Sequence, residues 1–260
     1  DLAQWPQNFL REPHWVARIV EAIAPQAGER IVEIGPGLAA MTTPLIARAG
    51  HISAVEIDRD LAARLRERFE PSQLDVIEAD ALSLDWAVLA DQAPQLLRIV
   101  GNLPYNISTP LLFALMPIAD RVIDQHFMLQ KEVVDRMVAP PGGADYGRLS
   151  VMLQRRYVLE RLFDVPPEAF YPAPQVVSSI VRLRPRPAQT IAPVDEQAFA
   201  RVVAAAFGQR RKTLRNALAG VVSLEQMTQA GIDPQVRAQQ LDLECFERLA
   251  QHAMVLDGKP

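Results

Sequence analysis

Ile31-Val32-Glu33-Ile34-Gly35-Pro36-Gly37 is the stretch that decides the fold. Arg30 to Ile34 is a short apolar run, β-branched at Ile31, Val32 and Ile34, that ends abruptly in two glycines flanking a proline. Leu38 to Ala49 behind it reads as a helix. Strand, tight turn and helix make the opening unit of a doubly wound α/β sheet. Gly35 and Gly37 allow a sharp turn and leave room for a ligand where a Cβ would intrude. The turn admits three readings. A dinucleotide fold would hold a pyrophosphate on backbone N–H groups, with glycine also at the third fingerprint position. Here Pro36 has no N–H, position 39 is Ala, and Glu33 stands two residues before the first glycine. A carboxylate there repels a phosphate and suits a cationic ligand, which is the second reading. The third is a plain βα turn, because a glycine pair alone is weak evidence.

Carboxylates downstream extend the pattern. The second strand, Ile52 to Val55, ends in Glu56, 21 residues beyond Gly35. At that distance a strand-end acid accepts hydrogen bonds from ribose hydroxyls, unless it is only a solvated end. Helix 59–69 leads to a third strand, Asp75 to Glu78, with Asp80 just beyond it. Ligands of open α/β sheets lie past the carboxyl ends of the strands, so Glu56, Asp80 and the glycine turn point the same way. There Asp80 suits an adenine amino group.

A fourth strand, 96–100, continues into Gly101-Asn102-Leu103-Pro104-Tyr105. An exocyclic adenine amino group is a poor nucleophile because its lone pair is delocalised into the ring. An Asn oxygen and a neighbouring backbone carbonyl can accept both N6 hydrogens and aim that lone pair at an electrophile. Tyr105 offers a face to a base, and Pro104 stiffens the carbonyl. The plain alternative is a turn holding an Asn and a packed Tyr. Helix 110–116, strand 125–129 and helix 131–138 follow, and before the glycine turn a helix starts at Pro13.

Length and composition bound the rest. With 260 residues, 49% apolar and 22% charged, the chain can bury the core of one large domain or of a large and a small one. No apolar run approaches the roughly 18 residues that span a bilayer. One cysteine, Cys245, and four scattered histidines imply a reducing, cytoplasmic setting and no zinc site. Asp1 in place of a start methionine is read as trimming, processing or alteration of the N-terminus.

The net charge of −4 hides a polarised chain. Residues 51–100 carry ten acids against five bases, whereas residues 181–220 carry eight bases against two acids. Strand 176–183 and a proline-rich linker lead into a helical segment, 195–256. Within it Arg210, Arg211, Lys212 and Arg215 fall on about two helical turns, with no acid from 209 to 216. Such a run is either a solvated face or a contact for a phosphate backbone.

Taken together these stretches resemble the bacterial ribosomal RNA small-subunit (16S) adenine N6-dimethyltransferase family. The matching segments are 7–10, 33–37, 55–58, 80–82, 101–110, 127–132, 146–150, 163–174 and 209–216, nearly the whole length. The resemblance implies a Rossmann-like α/β domain over 1–184, with a mostly parallel seven-stranded sheet, and a small all-helical RNA-binding domain over 185–260. It implies S-adenosylmethionine as cofactor, contacted by Asn8, Leu10, Gly35, Glu56, Asp80 and Asn102. The catalytic set would be Asn102, Leu103, Pro104, Tyr105 and Phe170, the last sandwiching a flipped adenine. The partner would be 16S rRNA within the small subunit, met by a monomer without metal or membrane. Two departures stand out: Trp5-Pro6 replace the family's glycine and its preceding basic residues, and Ala39 replaces its third glycine, which a helix start should tolerate. An adenine methyltransferase acting on large-subunit RNA or DNA, or a ribosome-assembly binding factor, are the alternatives.

Overall fold

The structure is a computed structural model that describes residues 8–253, so the atypical Trp5-Pro6 lies outside the described residues. The chain divides into two compact units, residues 1–134 with 158–185, and residues 135–157 with 186–260. The stretch 135–157, expected in the first domain, thus clusters with the later helices.

The first unit is built on a seven-stranded sheet: β2 (Arg30–Ile34), β3 (Ile52–Glu56), β4 (Leu74–Glu78), β5 (Leu97–Asn102), β6 (Val122–Gln130), β7 (Tyr157–Val165) and β9 (Ser178–Pro185). Their order is β4-β3-β2-β5-β6-β9-β7, parallel from β4 through β6, with β9 antiparallel to β6. A separate ladder pairs β1 (Phe9–Leu10) with β8 (Phe170–Tyr171). Ile31, Val32, Ile34, Ile52, Ala54 and Val55 are almost fully buried, as expected of parallel strands covered on both faces. Helix α1 (Pro13–Ile23) starts on a proline, buries Ile19, Val20 and Ile23, and stops at Ala24 in a left-handed conformation. Helix α3 (Arg59–Arg68) starts where Asp58 accepts the N–H groups of Asp60 and Leu61, and α4 (Trp86–Gln92) where Asp85 accepts the Val88 N–H; α6 (Lys131–Val138) follows β6.

Two expectations for this unit need correction. The helix behind the glycine turn, α2, runs only from Thr42 to Ala49. Gly35 (φ 66°), Gly37 (φ 56°) and Ala39 (φ 66°) are all left-handed, so no helix can begin there. Ala39 is therefore not a tolerant helix start. It is a buried alanine held where glycine is at ease, at a cost of about 1–2 kcal/mol. Second, strand β7 was not foreseen: it lies at the sheet edge, where mixed exposure along its length gives no clean alternation.

At the end of the sheet away from the glycine turn, Arg98 on β5 forms a bidentate pair with Asp124 on β6, both contacts at 2.9 Å. Its other donors reach Glu29 at 2.7 Å and the Ile23 carbonyl at 2.6 Å. The guanidinium thus ties the C-terminus of α1 to the sheet.

The second unit holds α7 (Arg148–Arg156), α8 (Glu196–Gly208), α9 (Leu214–Ala217), α10 (Leu224–Gln229) and α11 (Leu243–His252). Buried Arg155 reaches Glu196 at 2.6 Å and Glu247 at 3.3 Å, and lies over the Phe199 ring. The basic run is not on two helical turns: α8 ends at Gly208, Gln209 leaves the helical region, and α9 restarts only after Thr213. Arg210, Arg211 and Lys212 consequently sit in the loop between two helices.

Candidate active site

Strand β2 pairs with β3 on one side and β5 on the other, so the chain order reverses between β2 and β5. Such a switch point opens a crevice past the carboxyl ends of the two strands. The loops that meet there are 35–41 and 103–107. Gly101 lets them approach: a Cβ on it would come within 2.7 Å of the Ile34 carbonyl oxygen. A cavity of about 280 Å³ follows, lined among others by Asn8, Leu10, Glu33, Gly35, Asn102 to Asn106 and Phe170.

Asn102 is the last residue of β5, and the Leu103 N–H donates to the Met128 carbonyl at 3.2 Å, which fixes the exit of the loop. The Asn102 Nδ2 donates to the Asn8 carbonyl at 3.5 Å, and Asn102 lines the cavity. The Pro104 carbonyl accepts from Ser108 Oγ at 3.0 Å and from the Ile107 N–H at 3.2 Å, at the start of α5 (Ser108–Leu115). Tyr105 Oη lies 3.4 Å from Ser178 Oγ. Phe170 comes from far along the chain: β8 places it beside Leu10, and the Arg11 N–H donates to the Ala169 carbonyl at 2.8 Å. Eight of the residues singled out, Asn8, Leu10, Gly35, Asn102, Leu103, Pro104, Tyr105 and Phe170, therefore line one cavity.

Glu56 and Asp80 stand outside that lining, at the ends of β3 and β4. Glu56 is buried, with Oε2 accepting the Gly37 N–H at 3.3 Å and Oε1 the Asp58 N–H at 3.0 Å, so it clips the glycine turn to β3. Burial pushes its pKa up. The Ala79 N–H donates to the Glu56 carbonyl at 3.1 Å, and Asp80 follows, accepting the Leu82 N–H at 2.9 Å. Phe9, Met41 and Asn106 also line the cavity without having been singled out. Asn106 had a signal, its place directly after Tyr105; Phe9 and Met41 had none beyond apolarity.

Glu33 is 1% exposed and accepts the Thr42 hydroxyl at 2.6 Å. Desolvation pushes its pKa up from 4.5 to about 7, so without a cationic partner the carboxyl holds its proton near neutrality. The folded state then binds a proton that the unfolded state has released, and its stabilising contribution, full below about pH 4.5, is lost as pH rises toward 7. Glu33→Gln, which stays neutral throughout, should therefore gain on the unsubstituted protein by about 2–3 kcal/mol between pH 4.5 and 8. Urea unfolding of both proteins across that range measures it; a difference independent of pH would refute the shift.

In the second unit Arg210 donates to the carbonyls of Ala144 and Tyr146 at 2.8 and 2.9 Å, whereas Arg211, Lys212 and Arg215 are exposed. Among the described residues no three His, Cys, Asp or Glu side chains gather as metal ligands, and no helix is long and apolar enough to cross a membrane.

Residues 3–254 match the family described as ribosomal RNA adenine dimethylase. Ribosomal RNA small subunit methyltransferase A of Bordetella petrii is 58% identical over 254 residues, covering 98% of this chain and 95% of that one. The protein of the same name from Aromatoleum aromaticum is 60% identical over 246 residues, covering 95% and 91%. A solved dimethyladenosine transferase from Plasmodium falciparum shares the fold, with a TM-score of 0.79 at 23% identity over 93% of this chain and 95% of that one. The 23S rRNA methyltransferase ErmE gives 0.69 at 25% identity, over 94% and 99%. A match across nearly the whole length and relatives more than half identical settle the assignment: the chain belongs to the ribosomal RNA adenine dimethylase family.

Proposed function

We propose that this protein is an S-adenosylmethionine-dependent enzyme that dimethylates N6 of two adjacent adenosines in a 3′-terminal hairpin loop of 16S rRNA, within the small ribosomal subunit. The observation that carries this is the convergence of Asn102, Leu103, Pro104, Tyr105 and Phe170 with the glycine turn around one cavity. The names of the relatives supply the small-subunit substrate. The likeness to ErmE supports a second reading, adenine methylation in large-subunit RNA, at much lower identity. Incubation with S-adenosylmethionine and unmethylated subunits, followed by mapping of the modified bases, separates the two; methyl groups confined to large subunits would overturn the first.

The residues fit the cofactor. The buried Glu33 carboxyl, costly to ionise alone, suits a ligand bearing sulfonium and ammonium charge. The left-handed backbone of Gly35 and Gly37 opens the cradle, with Asn8, Leu10 and Asn102 on its walls. Glu56 would take the ribose hydroxyls and Asp80 the adenine. S-adenosylmethionine, when bound, supplies an electrophilic methyl group on sulfur. Asn102 Oδ1 and the Leu103 carbonyl accept the hydrogens of the target amino group and direct its lone pair. Tyr105 and Phe170 hold the base out of its stack. No strong base is needed, because the amine becomes acidic only after it is alkylated. The same reading makes the protein a cytoplasmic monomer that uses no metal.

Glu56→Ala should weaken S-adenosylmethionine binding by roughly 1–3 kcal/mol in titration calorimetry, as for a lost hydrogen bond to a charged group. Unchanged affinity would remove Glu56 from the site. We also propose that the second unit binds RNA through Arg210, Arg211 and Lys212 in the loop and Arg215 on α9. Replacing Arg211, Lys212 and Arg215 by Ala should lower the log–log salt slope of subunit binding by up to about three, leaving cofactor affinity intact. Arg210, tied to Ala144 and Tyr146, should contribute least to that slope. An unaltered slope would mean that the loop is merely solvated.

A further inference from the structure

Residues 170 and 171 alternate on β8, so the strand presents them to opposite sides: Phe170 is 5% exposed and lines the cavity, whereas Tyr171 is 44% exposed. The Arg11 guanidinium lies 5.9 Å from the centroid of the Tyr171 ring. One turn into α1 the combination recurs. Arg18 lies 4.1 Å from the centroid of Phe163 and 5.4 Å from that of Trp15, and the two rings stack at 6.2 Å. Trp15 on α1 and Phe163 on β7 pack against the core cluster that also holds Leu10 and Phe170. Arg11 and Arg18 are exposed, and neither forms an ion pair among the described residues. Rings hold both guanidinium groups in place, leaving their charge to solvent.

An exposed aromatic face beside unpaired cations, as at Tyr171, is the chemistry of single-stranded nucleic acid, a base on the ring and phosphates on the cations. No feature of the adenine chemistry described above uses them. We propose that Tyr171, Arg11 and Arg18 form a second RNA subsite beside the cavity. The unstacked nucleotide adjoining the target adenine stacks on Tyr171, and the flanking phosphates meet Arg11 and Arg18. This inference rests on the proposed methylation of adjacent adenosines: while one occupies the cavity, its neighbour is held beside it on the exposed residue of the same two-residue strand.

The test uses full-length protein, unmethylated small subunits and S-adenosylmethionine, with Tyr171→Ala, Tyr171→Phe and the double variant Arg11→Gln/Arg18→Gln. All three positions are exposed, so the fold should persist, and cofactor affinity and kcat at saturating RNA should match the unsubstituted protein. Tyr171→Ala should weaken subunit binding about tenfold, the loss of one stacked base, while Tyr171→Phe keeps it. The double variant should lower the log–log salt slope by up to about two. Unchanged affinity in Tyr171→Ala, or equal loss in Tyr171→Phe, would overturn the subsite. Weaker binding with an unaltered slope in the double variant would overturn it too, in favour of a protein surface. Absence of methyl transfer by the unsubstituted protein would sink the proposed function, and the subsite with it. An active protein indifferent to these changes would sink the subsite alone.

Discussion

Asn102→Ala should lower single-turnover methyl transfer to small subunits by at least about 10²-fold, close to 2.7 kcal/mol in activation free energy. The adenine nitrogen reacts only when its lone pair is drawn out of the ring. In the proposed mechanism the groups that do so are the Asn102 amide and the Leu103 carbonyl beside it. Removing a preorganised acceptor from a cavity costs more than the same change in water, because no solvent molecule replaces it in the right place. The fold should be indifferent, since the side chain makes one long bond, at 3.5 Å, while the strand is held by backbone pairing with β6. Subunit binding should likewise stay near normal. Rapid-quench measurement of radiolabelled methyl incorporation at saturating cofactor, with a filter-binding control, decides it. A near-normal rate would place the chemistry elsewhere. After the first transfer N6 keeps a single hydrogen, so the two acceptors cannot grip both rounds alike, and the product must rotate or leave before the second.

The largest expected effect on stability comes from Arg98→Ala, about 3–5 kcal/mol. The side chain is 7% exposed and Asp124 is 11% exposed. Without the guanidinium, the Asp124 carboxylate is left buried without its bidentate partner, and Glu29 and the Ile23 carbonyl each lose a donor. At roughly 2–4 °C per kcal/mol for a chain of this size, Tm should fall by about 10 °C. Replacing Arg98 and Asp124 together by apolar residues of similar volume should recover much of the loss, because the cost lies in the orphaned charge. Denaturant unfolding of both variants tests this; a loss below about 1 kcal/mol in Arg98→Ala would mean that water solvates the carboxylate instead.

Much of the candidate site was legible because its signals are local. A β-branched run breaking into Gly-Pro-Gly, and acids just past the ends of two later strands, need only neighbouring residues to be recognised. The Asn-Leu-Pro-Tyr stretch was read correctly as the exit of a core strand. Glu33 was noticed as an acid, but its pKa near 7 depends on complete burial, which no local pattern reports.

What failed did so where distant segments decide the outcome. A helix start at Ala39 fails because the turn drives it into the left-handed region before α2 can begin. Helical spacing fails for the basic run because α8 ends at Gly208, ahead of it. The sequence by itself determined that β2 feeds a glycine turn, that Glu56 ends the next strand and Asp80 lies just past the one after, and that Asn102 lies at the exit of the fourth core strand. Only the tertiary structure decided that Phe170 shares a cavity with Asn102, that Tyr171 stands exposed beside Arg11, and that Arg98 is a buried link. Those contacts join residues as many as 160 positions apart, as Leu10 is from Phe170. Their pairing follows from strand order and ladder register, which are set by the burial of whole faces and leave no mark in any short window of sequence.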